Sequence, residues 1–321
     1  MAPVSLYSAQ VSRIAKGSLP QPVHFVMVHG FLSHGGSLTS LARRLHKFCA
    51  ADDTLQPVVF FAVDCRNHGR SPHTKTHTLD DMVADLHKWL DHSVHVVPGV
   101  PAGSEGGPAK VIAIGHSMGS LVWTKYMMDR LNGNEHRVSV AALISLDMPP
   151  LTNALFPSPL RGLLWNYMEL MKKVNLSAIR DMRTARAEFT RCGIHDKEVQ
   201  GFFTTNLKID RGGSAPQTET SWRCNLPVLT ESLREGAIFM PEALTSVTPR
   251  RKIDVPVLSI MGGRSAISKC KHLGGLWSTC ATTTEEFILP KAGHNICYDD
   301  LDGTASLIES FIKKLSLVPA S

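Results

Sequence analysis

Short runs of aliphatic and β-branched residues alternate with amphipathic segments along much of the chain. Five of these runs have the composition of buried parallel strands: Val23–Val28, Val58–Val63, Val111–Ile114, Val138–Leu146 and Val255–Met261. In the segments Ser37–Cys49 and Leu79–Leu90, apolar residues recur at helical spacing. This alternation predicts an α/β fold, a mostly parallel central sheet with helices on both faces.

The alternation stops between Pro149 and about Leu244, where helical segments rich in large apolar residues take over. It resumes with Val255 and ends in a helix near Ala305–Leu315. The Gly/Pro-rich stretch Pro98–Pro108 is predicted to be an exposed loop. We predict one α/β core interrupted by a helical cap insertion: residues 1–148 and 245–321 for the core, and residues 149–244 for the cap.

The composition suits one large core and gives no sign of a polyanionic partner. Hydrophobic residues make up 43% of the 321 positions, and 34 Lys and Arg against 28 Asp and Glu leave a net charge of +6. Basic residues are densest from Lys172 to Arg191, but Asp181 and Glu188 interrupt them, which is typical of a solvated helix face. We therefore expect no nucleic-acid partner. No apolar run approaches the ~20 residues of a transmembrane helix, so we expect no transmembrane segment.

Cysteine usage favours a reducing compartment. Seven cysteines without C-x-x-C spacing argue against a disulfide framework, a zinc ribbon and a redox pair. The first fifty-one residues lack Asp and Glu, as mitochondrial presequences do, but Val4–Ile14 already alternates like a strand. We predict a cytoplasmic location, with a mitochondrial one as the alternative.

The segment Gly115–Gly119, with the sequence Gly-His-Ser-Met-Gly, lies between the strand ending at Ile114 and a helical segment starting near Leu121. A sharp strand-to-helix turn requires small residues on both sides and exposes its central side chain at the helix N-terminus. The dipole of that helix and the N–H of Met118 favour negative charge nearby. The pattern predicts Ser117 as a nucleophile, and a tight turn with an incidental serine is the alternative.

His294 is the predicted general base, because it lies in a turn between the last strand and the last helix. A base that reaches a serine from another strand belongs on a loop at the same sheet edge. The segment Val28–Leu32 ends an earlier strand, where the N–H of Phe31 can point at a developing oxyanion with the N–H of Met118 as second donor. His29 beside this loop is predicted to be structural.

The carboxylate that would orient the histidine base is predicted from its position in the chain. In most sheets of this kind it follows the strand before the last, but here Asp254 precedes that strand and Gly262–Ser265 after it contains no carboxylate. Asp147 directly follows the preceding strand. The order Ser117, Asp147, His294 is the one expected for this fold. A helix-capping role for Asp147 is the alternative.

Seven short segments follow one another in an order that is typical of a known family. They are His29-Gly30, Asp64–Pro72, Gly115–Gly119, Asp147–Pro149, Trp222–Leu226, Gly262-Gly263 and Gly293-His294. In this order the chain resembles the α/β-hydrolases, close to the alpha/beta hydrolase domain-containing protein 11 group and related small bacterial esterases. The resemblance implies an α/β-hydrolase fold and, since that group carries its acid after the same strand, supports Asp147. Ser120 departs from the group, which usually has a second glycine there.

These residues predict a lipase-like serine carboxylesterase that cleaves an ester or thioester without a cofactor or a metal. The sequence contains no phosphate-binding loop and no dinucleotide fingerprint. His68, His73 and His77 lack the partners that would complete a metal site, so they are predicted to be polar loop residues. The apolar cap indicates a small-molecule substrate with an aliphatic or lipid-like acyl group.

Two other classes of function stay open at this stage. The same fold hosts hydrolases of amide and carbon–carbon bonds. A receptor-like, non-catalytic member could also keep the three residues and bind a ligand in the same pocket. The sequence does not indicate an oligomeric state.

Overall fold

The fold is described from a computed structural model of the chain, which covers residues 2–11, 22–51, 57–94, 109–130, 138–210, 219–242, 252–270 and 273–315. The loop predicted at Pro98–Pro108 lies outside these residues. The described strands are β1 (Ser8–Gln10), β2 (Val23–Val28), β3 (Val58–Val63), β4 (Ala109–His116), β5 (Val138–Leu146), β6 (Leu207–Asp210), β7 (Glu219–Trp222), β8 (Val257–Gly262) and β9 (Thr284–Leu289).

Seven of these strands form the central sheet, in the order β1-β3-β2-β4-β5-β8-β9. Strand β1 is antiparallel to β3, and every other neighbouring pair in this sheet is parallel. The sequence prediction of a mostly parallel sheet is thus confirmed. Because the strands run the same way, the loops that follow them meet at one edge of the sheet.

Helices cover both faces of the sheet, as predicted. The described α-helices are α1 (Thr39–Ala50), α2 (Leu79–Ser93), α3 (Met118–Arg130), α4 (Ser158–Lys173), α5 (Met182–Arg191), α6 (Lys197–Thr205), α7 (Leu226–Glu235), α8 (Leu276–Cys280), α9 (Ile296–Asp299) and α10 (Leu301–Lys314). Short 3₁₀ helices lie at Gly35–Leu38 and Leu176–Ala178.

Successive side chains of the inner strands are buried on opposite faces of the sheet, as β2 shows. In β2, Phe25 and Met27 belong to the apolar cluster that includes α1 and α10. Val26 and Val28 belong to the cluster that includes α2 and α3. Both faces are covered, so all six residues of β2 are buried, which explains why the strand reads as a continuous apolar run.

The N-terminal strand is shorter than its alternating pattern predicts. The strand itself covers Ser8–Gln10 of the predicted Val4–Ile14, and the backbones of Tyr7 and Val11 on either side add one hydrogen bond each to Asp64 and Phe60. Residues 12–14 lie outside the described part of the chain. Before β1, the backbone N–H groups of Val4 and Tyr7 donate to core side chains at 2.7 and 2.8 Å. These side-chain acceptors replace the neighbouring strand that a longer β1 would need.

Between β5 and β8 the chain leaves the central sheet and forms α4 to α7. It also forms a two-stranded antiparallel ribbon, β6 with β7, which the helical pattern did not predict. An aromatic cluster joins this ribbon to the helices: the ring centroids of Phe189 and Trp222 lie 5.9 and 6.3 Å from that of Phe203, and Tyr167 lies 5.5 Å from it. The division of the chain into core and cap at residues 149–244 stays a prediction.

A buried ion pair holds the loop that follows β3. The guanidinium of Arg66 donates twice to the carboxylate of Asp85, at 2.6 and 2.7 Å, and both side chains are fully buried. Asp85 also accepts the N–H of Val4. The pair therefore ties α2 and the N-terminal segment to a loop that continues, through Asn67 and His68, to the functional edge of the sheet.

Removing Asp85 should destabilise the fold strongly, because it leaves the Arg66 charge buried without its bidentate partner. We expect Asp85→Ala to lower the free energy of unfolding by about 3–5 kcal/mol in urea titrations. Asp80→Ala is the matched control in the same helix, since its side chain is 79% exposed and its ion-pair partner is Lys125 of α3. The control should lose less than about 1 kcal/mol. Equal losses in the two variants would contradict a special role for the buried pair.

Candidate active site

The side chains singled out in the sequence lie on loops at one edge of the sheet. Phe31 follows β2, Ser117 follows β4, Asp147 follows β5 and His294 follows β9. Parallel strands bring these carboxyl ends together. Long-range topology thus places residues that are up to 263 positions apart in sequence (Phe31 to His294) at one site.

Close contacts around Ser117 explain the glycines of its motif. Ser117 has a φ of +51°, in the left-handed region that non-glycine residues seldom occupy. A Cβ on Gly115 would lie 2.4 Å from the backbone nitrogen of Ser120, and one on Gly119 would lie 2.1 Å from the carbonyl oxygen of Val28. Any larger residue at either position would push α3 away from the sheet and displace the serine.

A continuous chain of hydrogen bonds joins the three predicted side chains. His294 Nε2 lies 2.9 Å from Ser117 Oγ, and His294 Nδ1 lies 2.6 Å from Asp147 Oδ2. A carboxylate can only accept, so Nδ1 carries the proton and Nε2 accepts from the serine hydroxyl. Ser117 and Asp147 are buried, whereas the His294 side chain is 25% exposed. The arrangement can remove a proton from a serine as it attacks.

The carboxylate of Asp147 has two further donors, which sequence reasoning missed. The N–H of Gly262 donates to Oδ1 at 2.7 Å, and the hydroxyl of Ser265 donates to Oδ2 at 2.6 Å. Gly262 ends β8 and Ser265 follows it, in the region where the sequence lacks the acid usual in such sheets. The one sequence signal for this contact was Ser265, a small polar residue that stands where the acid usually lies.

His116 supports the loop that carries His294. Its Nε2 lies 2.8 Å from the carbonyl oxygen of His294, so the neutral ring donates a hydrogen bond to that backbone. Burial lowers the pKa of His116 to about 4. No local sequence pattern indicates this role for His116, because the contact spans 178 positions.

Two backbone N–H groups beside Ser117 have no acceptor within the described residues: those of Phe31 and Met118. Met118 is the first residue of α3, and the first N–H groups of a helix lack a carbonyl partner. The Phe31 loop is adjacent to the serine, since a Cβ on Gly30 would lie 3.0 Å from Ser117 Cβ. Both donors can therefore bind an anion that develops next to Ser117.

Three buried histidines surround the Phe31 loop. The ring centroid of His68 lies 5.1 Å from those of His29 and His77 and 6.1 Å from that of Phe31. His68 and His77 lie on the loop between β3 and α2, where the sequence predicted polar loop residues, and both are buried because they pack under the Phe31 loop. His29 is structural as predicted, since its Nε2 accepts the N–H of Cys65 at 3.0 Å.

Burial keeps these imidazoles neutral. It lowers the pKa of His29 to about 4 and that of His77 to about 3. It also lowers the pKa of His68 well below the ordinary 6.5, an effect that the neighbouring histidines reinforce. A neutral ring can accept a hydrogen bond at one nitrogen while it donates at the other.

In the part of the chain that the structure describes, no group of three His, Cys, Asp or Glu side chains could hold a metal ion. Within the same residues, every helix is too short or too polar to span a membrane. All seven cysteines are free thiols.

The buried histidines should make the fold acid-sensitive. Unfolding exposes His29, His77 and His116, which then bind protons below about pH 6.5, whereas in the folded chain they do so only near pH 4 or 3. The unfolded state holds more protons in this window, so the free energy of unfolding should fall as the pH decreases from 6.5. We expect about 1.4 kcal/mol per pH unit for each histidine, measured by urea unfolding.

The variant His77→Gln should reduce that slope by about one histidine's share. His195→Gln is the control, because His195 is exposed on the segment between β5 and β8. A slope that His77→Gln leaves unchanged would contradict the assignment of the buried ring.

Comparison with characterised proteins identifies chains of similar sequence. Over 244 residues the chain is 26% identical to the sn-1-specific diacylglycerol lipase ABHD11 of Danio rerio, with 75% of this chain and 63% of that protein aligned. It is 24% identical over 287 residues to the mouse (Mus musculus) protein of the same name, covering 89% and 80%. The chain thus spans less than two thirds of the Danio rerio relative's length.

Solved structures show the same fold. A marine microorganism esterase superposes with a TM-score of 0.68 at 18% identity, covering 97% of this chain and 98% of its own. An esterase of M. tuberculosis superposes with a TM-score of 0.57 at 15% identity, covering 97% and 93%. The sequence profile of the Alpha/beta hydrolase family matches residues 25–307. The chain belongs to the Alpha/beta hydrolase family.

Proposed function

We propose that the chain is a serine hydrolase that cleaves a carboxylic ester or thioester through an acyl-enzyme on Ser117. The observation that carries the proposal is the hydrogen-bonded chain from Ser117 through His294 to Asp147. It lies beside the N–H groups of Phe31 and Met118, which have no acceptor in the described part of the chain. Base, orienting acid and oxyanion donors are the parts that acyl transfer to serine requires.

In the first step Ser117 Oγ attacks the acyl carbonyl carbon while His294 Nε2 takes the hydroxyl proton. Asp147 keeps the imidazole in the tautomer that accepts this proton and stabilises the imidazolium that forms. The carbonyl oxygen becomes an oxyanion bound by the N–H groups of Phe31 and Met118, and each such donor typically contributes ~10²–10³ in rate. The imidazolium then protonates the leaving alcohol or thiol as its bond to the acyl carbon breaks.

In the second step water replaces the leaving group. His294 takes a proton from the water as its oxygen attacks the acyl carbon, and the same two N–H groups bind the second oxyanion. The bond to Ser117 Oγ breaks and the imidazolium returns the proton to the serine. The products are a carboxylic acid and the starting enzyme, so the cycle needs no cofactor and no metal.

The names of the relatives favour acyl–oxygen bonds with aliphatic acyl groups. The vertebrate proteins are diacylglycerol lipases, and a Saccharomyces cerevisiae relative, 26% identical over 226 residues, is a probable alcohol acetyltransferase. We propose a lipid-like ester as the substrate class. The apolar segment after Asp147 supports this, since Met148 and Leu151 are buried directly beyond the acid. The free cysteines agree with a reducing compartment, for which we propose the cytoplasm, with the mitochondrion as the alternative.

Hydrolysis of p-nitrophenyl esters of graded acyl length tests this assignment. We expect wild-type turnover, with a loss in kcat/KM of about 10⁴-fold for Ser117→Ala and a similar loss for Asp147→Asn. Asp254→Asn is the matched control, because it makes the same change at an exposed carboxylate that precedes β8, at the opposite end of that strand from the site. That control should keep wild-type activity. Full activity in Ser117→Ala would overturn the proposal.

The same assay separates the alternative functions. Turnover of p-nitroanilides without turnover of esters would replace the ester assignment with amide hydrolysis. No turnover on either panel, with a folded wild type, would favour the receptor-like alternative. Transfer of the acyl group to added ethanol at the expense of hydrolysis would indicate an acyltransferase.

A further inference from the structure

The backbone of Leu32, one residue after Phe31, is held on both sides by buried side chains. Its N–H donates to His68 Nε2 at 3.2 Å, and its carbonyl oxygen accepts from Asn206 Nδ2 at 2.6 Å. Leu32 has a φ of +56° and is fully buried. A leucine keeps this left-handed conformation only where its surroundings enforce it.

The two partners of Leu32 come from different parts of the chain. His68 belongs to the loop after β3, and its Nδ1 faces the Arg66 carbonyl at 3.0 Å, which leaves Nε2 as the acceptor. Asn206 ends α6, in the segment between β5 and β8. Its own carbonyl accepts the N–H of Arg223 at 2.7 Å, so the β6–β7 ribbon holds it in place.

The orientation of the Asn206 amide that makes this contact leaves its oxygen without a hydrogen bond among the described residues. Its side chain is fully buried, and Oδ1 has no hydrogen-bond partner among the described residues. Turning the amide over would place Oδ1 against the Leu32 carbonyl, where neither oxygen can donate. A buried oxygen without a partner is unfavourable and calls for a reason. The bond to the Leu32 carbonyl supplies that reason.

Planar peptide groups carry this contact to the oxyanion donor. The Leu32 carbonyl and the Ser33 N–H belong to one peptide plane, and the Ser33 N–H donates to the Gly30 carbonyl at 3.2 Å. The Gly30 carbonyl in turn shares a plane with the N–H of Phe31. His29 Nδ1 also donates to the Gly30 carbonyl, at 2.8 Å. The Leu32 carbonyl therefore acts together with His29 on the direction of the Phe31 N–H, through two rigid groups and one hydrogen bond.

We propose that Asn206 is a positioning residue that orients the Phe31 N–H for the oxyanion by binding the Leu32 carbonyl. The inference rests on the proposed function, and it assigns to the segment between β5 and β8 a part in assembling the oxyanion site. The Leu32 carbonyl has its Asn206 partner only when that segment packs against the core. Substrate contacts made by the segment can therefore alter the rate of the acyl-transfer step.

The variant Asn206→Leu tests the proposal, since it keeps the approximate size of the side chain and removes the donor. We expect kcat to fall about 10–100-fold, because a misdirected donor loses most of its effect in the transition state. KM should stay within about twofold, because the ground-state carbonyl carries little charge. Butylboronic acid, whose tetrahedral adduct on Ser117 places an oxygen in the same site, should bind the variant more weakly by the same factor as kcat falls.

Asn225→Leu is the matched control. Asn225 also joins this segment to the core, donating to Asn67 Oδ1 and the Thr74 carbonyl at 3.1 Å each, and among the described residues it makes no hydrogen bond with Leu32. Its kcat should fall less than about threefold. Equal falls in kcat for the two variants, or a fall in Asn206→Leu that appears in KM alone, would overturn the proposal.

Folding and the proposed function are tested separately. Thermal unfolding should show that Asn206→Leu is folded, and Asn206→Asp, which keeps the shape but cannot donate when ionised, gives a second measurement of the same loss if it is not. Activity that survives in Ser117→Ala would refute the proposed function and this inference together. Loss of activity in Ser117→Ala with wild-type kcat in both Asn206 variants would refute only the inference.

Discussion

The carboxylate of Asp147 is the contact on which the site depends, because it joins loops from three strands. Asp147 follows β5. It accepts hydrogen bonds from Gly262 at the end of β8, from Ser265 after β8, and from His294 after β9. Each of these hydrogen bonds is short and has a charged, buried acceptor, and hydrogen bonds of this kind are among the strongest in proteins. The same contacts that fix the His294 side chain therefore also hold the loops at this end of the sheet together.

Backbone strain is concentrated at this edge. Among the described residues, the non-glycine positions with positive φ are Leu32, Asn67, Ser117 and Asp147. Such conformations cost of order 1–3 kcal/mol each and persist only where the surrounding structure enforces them. Here the enforcing groups are close glycine contacts, an aspartate network and neutral buried histidines. The functional edge is thus maintained at a cost in stability, which the two apolar clusters of the sheet offset.

The fold could be predicted from the sequence, because apolar periodicity locates the parallel strands. The proximity of Ser117, Asp147 and His294 could also be predicted, because residues at the carboxyl ends of parallel strands lie at one edge of the sheet. Periodicity could not reveal the β6–β7 ribbon, whose four-residue strands are too short to show a pattern. Ser265 and Asn206 were missed for another reason. Their roles come from single hydrogen bonds over 118 and 174 positions, and no local pattern encodes these contacts.

Mapping a covalent adduct is the most direct test of the central claim, that Ser117 is the nucleophile. A fluorophosphonate loses fluoride to the attacking serine and leaves a stable phosphonyl group on its oxygen. After tryptic digestion and mass spectrometry, we expect one phosphonyl group per chain, on the peptide 111–125. Fragmentation should assign it to Ser117 and not to Ser120 of the same peptide. A folded, active enzyme that carries the group on another residue, or that turns over esters without reacting, would contradict the claim.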